Sequence, residues 1–119
     1  MRAWVAGLLD VVGVVVFVAV GRASHEESGT LTGVASTAWP FLAGLAVGWA
    51  VGRARRRPWA LFPAGVVIWA TTVAGGMALR AATGQGTAPA FVIVAASFLA
   101  LALLGWRLVA RLAARPAAT

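Results

Sequence analysis

The sequence predicts an all-α fold, a polytopic transmembrane bundle of four helices with both termini in the cytoplasm. Three observations predict it. Of 119 residues, 61% are hydrophobic and only 11% charged, against about a quarter charged in an average soluble domain. The charged residues stand in short clusters, and the apolar stretches between them approach the ~20 residues that a helix needs to cross the hydrocarbon core. The arginines also divide unevenly between the two ends of those stretches.

The first span covers residues 4–21, between Arg2 and Arg22, and a polar loop follows to about Gly33. The second covers residues 34–52, with Pro40 near its start, and ends at the cluster RARRRP. The third runs over residues 59–79 and closes at Arg80. Pro63, a turn into it, either delays the regular helix or bends it. The loop AATGQGT carries two glycines suited to a turn. Pro89 then suits a first helical turn, where its missing N–H costs nothing. The fourth span covers residues 88–106, and Arg107, Arg111 and Arg115 follow in a short tail. These spans leave no room for a soluble domain, so residues 1–119 form a single membrane domain. Strands are excluded by length and by the lack of alternation. A backbone in lipid must satisfy its own hydrogen bonds, which a helix does within one segment.

Orientation follows from the arginines. With the N-terminus inside, Arg2, Arg53, Arg55, Arg56, Arg57, Arg107, Arg111 and Arg115 face the cytoplasm and only Arg22 and Arg80 lie outside. Because the loops are short, that bias sets the topology. The net charge of +7 therefore reads as membrane orientation, not nucleic-acid binding. Trp4, Trp59 and Trp106 at inner span ends, with Trp39 near an outer one, suit an interfacial belt. A rival reading takes Arg2 and the first span as a secretory signal, but Asp10 interrupts the apolar stretch, which is longer than a usual signal core.

Three groups of residues stand out. Asp10 lies ~9 Å along the helix from Trp4 at about 1.5 Å per residue, inside the hydrocarbon. An acid there marks either a pathway or a structural partner, an arginine of the inner rim such as Arg53 or Arg107, or an indole. At the outer face, Arg22 and His25 stand with Glu26 and Glu27, and Arg80 with Gln85. They form either internal ion pairs or a small anion or head-group site that His25 could gate. Gly44, Gly48 and Gly52 recur every fourth residue, giving one helix face where a neighbouring backbone comes close, within the bundle or between subunits. Among the mid-span polar residues, Thr71 and Thr72 are expected to bond back to their own helix, and Trp69 to pack. There is no cysteine and one histidine, so no metal site and no cofactor is expected. No nucleophile–base pair, catalytic carboxylate pair or phosphate-cradling loop points to an enzyme.

The pattern formed by Asp10, Gly21, Arg22, Ser24 and His25, then WPFLAG and GW, resembles a family of small actinobacterial membrane proteins, the domain of unknown function 3054. So do GVVIWATTVAGGMALR and GQGTAPAFV further on. The resemblance spans Asp10 to about Arg107 and implies a multi-pass protein of the bacterial inner (cytoplasmic) membrane. It brings no activity, ligand or site residue. Two functions follow as expectations. One is an oligomeric transporter or channel-like protein for a small solute or ion, using Asp10 with Arg22, His25 and Arg80. The other is a non-transporting accessory or scaffold subunit that binds a partner membrane protein or lipid. In either case the bilayer surrounds it, and a homo-oligomer or a membrane partner is expected.

Overall fold

The computed structural model describes residues 2–24, 30–52 and 56–113. Among them all regular structure is helical: α1 (Ala3–Ser24), α2 (Leu31–Val51), α3 (Val66–Ala82), α4 (Pro89–Leu99) and α5 (Gly105–Ala113). α4 and α5 form one continuous span through a π-turn, Ala100–Leu104. The four apolar helical stretches are 21, 21, 22 and 25 residues long, about 31 to 38 Å at 1.5 Å per residue. Each covers the roughly 30 Å of hydrocarbon. The protein is a four-helix multi-pass membrane bundle.

Consecutive spans run antiparallel. Trp49 and Phe41 of α2 meet Asp10 and Phe17 of α1, and Gly44 and Gly52 meet Thr71 and Val67 of α3. Phe98 of α4 packs on Phe17, while Trp106 beyond it reaches Asp10. One end of the bundle therefore carries the start of α1, Pro58 of the α2–α3 connection and α5; the other carries the end of α1, the start of α2 and the α3–α4 connection.

Local chemistry sets the ends. Thr30 caps α2, its hydroxyl accepting from Gly33 N–H at 3.1 Å, so this helix begins three residues before the expected Val34. Pro40 lies inside α2 and is buried. Of the two options at Pro63, the structure shows the late start. Phe62 is extended (φ −133°, ψ 136°) before a cis bond to Pro63, and α3 becomes regular only at Val66. After α3, Gly84 takes φ 76°, the left-handed region that suits glycine. Gln85 N–H then closes on Arg80 C=O at 2.8 Å.

Lipid is as apolar as the core, so hydrophobic burial does not drive these helices together; close packing and internal polar contacts do. α2 and α3 approach most closely, through the glycine face. A Cβ at Gly44 would stand 2.7 Å from Thr71 O, and one at Gly52 3.3 Å from Val67 Cβ. At Gly48 it would overlap the Thr71 hydroxyl, and at Gly76 the Phe41 ring. Gly44, Gly48 and Gly52 therefore face α3 within the chain. Phe17 sits at the centre of the core, edge-on to Phe41 at 5.5 Å and tilted against Phe98 at 5.4 Å.

This packing makes Gly44→Leu a severe change, because the wall it meets is backbone. It is expected to cost about 1–3 kcal/mol or more by overpacking, read as a lower melting temperature of the detergent-solubilised protein. Gly21→Ala, where an added Cβ meets nothing within 4 Å, should stay within about 0.5 kcal/mol.

Candidate functional site

At the end of the bundle that carries α5, Asp10 of α1 is fully buried. An ionised carboxylate is acceptor-only, with about four lone-pair positions, and four donors fill them. Arg107 gives a two-pronged contact, Nη1 to Oδ1 at 2.7 Å and Nη2 to Oδ2 at 2.8 Å. The Trp106 indole N–H donates to Oδ1 at 2.8 Å and the Trp49 indole N–H to Oδ2 at 2.9 Å. Each oxygen accepts two of these donors.

Arg107 is also fully buried and equally well held. Its Nε donates to Pro58 C=O at 3.0 Å, and Nη1 donates a second bond to Leu103 C=O at 2.8 Å. The guanidinium carbon lies 4.4 Å from the Trp106 ring centroid, a stacking contact that favours a cation. Room for the stem comes from Gly65, where a Cβ would stand 2.8 Å from Arg107 Cδ. The cage thus takes its parts from α1, α2, the connection before α3, and α5. All four spans are fastened at one point.

Sequence reasoning named Arg107 as one partner for Asp10 but left it in a tail beyond a span ending at Trp106. The helix instead continues to Ala113, and Arg107 turns inward to the buried carboxylate. Trp106, assigned to an interfacial belt, is half-buried and donates to the carboxylate. Trp49 was missed as a donor; the signal for it was an indole on α2 with an acid nearby that needs N–H groups. Arg53 lies outside the described residues.

Among the described residues, Arg22, Arg80, Thr71 and Trp69 make hydrogen bonds away from this cage. Arg22 Nη1 donates to Thr37 Oγ1 at 2.9 Å, at the opposite end. Arg80 donates to Gly86 C=O at 2.9 Å and Gln85 Oε1 at 3.0 Å, and its guanidinium lies 4.3 Å from the Phe91 centroid. His25, Glu26 and Glu27 lie outside the described residues. Mid-span, Thr71 bonds back to Val67 C=O at 2.8 Å, and Trp69 N–H donates to Ala96 C=O at 2.9 Å. The buried Thr72 hydroxyl has no hydrogen-bond partner among the described residues. Beside the cage, Gly7, Val11, Leu42, Leu45, Ala46 and Trp49 line an open apolar groove of about 380 Å³ between α1 and α2.

A family model described as a protein of unknown function, DUF3054, matches residues 7–110, which include every member of the cage. The chain belongs to the DUF3054 family. No curated protein and no solved structure matches it. For this DUF3054 protein the cage itself must therefore supply the functional argument.

Removing one partner leaves a buried charge uncompensated, at a cost of about 3–5 kcal/mol. Asp10→Leu and Arg107→Leu are each expected to lower the melting temperature in detergent sharply. The double variant, which buries no charge, should melt above both single variants. A double variant no better than the singles would show that the two residues do not act as a pair.

Proposed function

We propose that this protein is a non-transporting accessory subunit of the bacterial inner membrane, a compact four-span body that binds a partner membrane protein. The observation that carries this reading is the complete occupation of Asp10 by donors of its own chain. A carboxylate that carries solute or protons needs a free coordination position in the state that receives them, and the cage presents none. Past Asp10 the described core turns apolar, through Val14, Phe17, Phe41 and Leu99, which supports a closed body over a pathway. The lack of catalytic pairings in the sequence supports a non-enzymatic role. The eight-to-two distribution of arginines supports cytoplasmic termini, with the caged carboxylate near the inner face.

Two measurements test this. Purified protein in proteoliposomes loaded with a pH-sensitive dye should leak protons no faster than empty vesicles. A proton flux that Asp10→Asn abolishes, with the fold intact, would replace the subunit reading with a transporter. For orientation, the natural chain has no cysteine, so single cysteines report cleanly. Thr87→Cys, at an exposed position of the α3–α4 connection, should react with a membrane-impermeant maleimide added to whole spheroplasts, and Ala113→Cys only after lysis. The reverse pattern would invert the topology.

A further inference from the structure

The open groove between α1 and α2 has apolar walls, with Gly7 and Val11 on one side and Leu42, Ala46 and Trp49 on the other. The Trp49 indole N–H donates to the buried Asp10, so this residue gives the groove carbon surface. Along α1 the groove covers Gly7 to Val11, about 6 to 12 Å from the helix start at Ala3. That depth lies within one leaflet, about half of the roughly 30 Å of hydrocarbon. The material that adjoins the protein there is acyl chain, not water.

Toward the cage end the groove leads to a cationic rim. Trp4 stands seven residues before Val11, within about 20° of it around the helix, and is 66% exposed. An indole so placed suits the boundary between acyl chain and head group. Arg2 opens the same helix, its carbonyl accepting from Val5 N–H at 3.1 Å. Arg2, Arg56, Arg57 and Arg111 are all exposed at this end. The whole chain has three acidic residues. Asp10 is enclosed with Arg107. Glu26 and Glu27 follow Ser24, the end of α1 at the opposite end of the bundle, by too few residues to reach the cage. No acid of the chain is left to neutralise these four arginines.

We propose that the groove and the rim beside it form one site for an anionic phospholipid of the leaflet at the cage end. One acyl chain lies in the groove along Val11 and Ala46. The phosphate sits at the level of Trp4, where Arg2 and the arginines of the α2–α3 connection supply the opposite charge. A zwitterionic lipid fits the groove as well but carries its own cation, so it gains less from the rim. A partner's apolar helix would fill the groove without neutralising that charge, which is why the rim selects a lipid. The site goes beyond the accessory-subunit reading and does not rest on it.

Photoreactive lipids test the proposal. The full-length protein is placed in nanodiscs with a probe that carries a diazirine in one acyl chain and either a phosphatidylglycerol or a phosphatidylcholine head group. Crosslinks are located by peptide mass. The phosphatidylglycerol probe is expected to label Val11 and Ala46 about fivefold or more above the phosphatidylcholine probe. Leu101, exposed beside the Ala102 that meets Gly13 of α1, should show no such difference. Ala46→Phe fills the groove from its exposed side and should remove the excess. The triple variant Arg2→Gln, Arg56→Gln, Arg57→Gln changes surface residues alone and should bring the ratio close to one with the groove intact. Equal labelling by the two probes in the natural chain would mean that the groove holds whatever chain adjoins it, and would overturn the site. An excess that survives the triple variant would do the same. So would a photoreactive side chain at position 46 that joins, in native membranes, to another protein in place of lipid.

Discussion

A carboxylate in hydrocarbon is the constraint around which one end of this bundle is arranged. Water is not available to solvate it, so every lone pair must find a donor within the protein. Asp10 finds four, on Trp49, Trp106 and Arg107. Arg107 in turn must satisfy its own N–H groups, which it does with the carbonyls of Pro58 and Leu103. The geometry of the α2–α3 connection, the glycine at position 65 and the irregular turn in the fourth span all serve these two groups. Hydrophobic residues of similar volume would hold the helices with less desolvation.

The rest of the bundle is held differently. Between α2 and α3 the glycine face lets backbones approach to distances that a methyl group would block. The gain is in dispersion contacts, not in water released. In the middle, the rings of Phe17, Phe41, Phe91 and Phe98 pack in edge and tilted pairs. α1, by contrast, turns much of its apolar surface outward at Leu8, Val12, Val16 and Val20. It is joined to its neighbours mainly by the phenylalanine cluster and by Asp10. The caged pair therefore matters most for the placement of α1.

Much of this was legible in the sequence, for identifiable reasons. Span length and charge clustering are one-dimensional properties, so the four helices could be read from them. The four-residue glycine spacing is a property of one helix and could also be read. Asp10 announced itself because an acid in an apolar stretch is costly wherever it points. Its donors were harder. Trp106 and Arg107 sit where a membrane protein often places interfacial tryptophans and orienting arginines, and that general role hid the specific one. Trp49 is far from Asp10 in the chain and belongs to no pattern with it. The π-turn leaves a trace in the four-residue spacing of the buried Ala95, Leu99, Leu103 and Arg107, but the trace can be read only once the inward residues are known.

The two ends of the protein place different demands on any functional account. At the Asp10 end, charge is buried and internally balanced. Toward the other end lie the phenylalanine rings and then Arg80 against Phe91, with no buried charge between them among the described residues. A pathway along the bundle axis would have to displace that balanced pair at one end and part the packed phenylalanine rings beyond it.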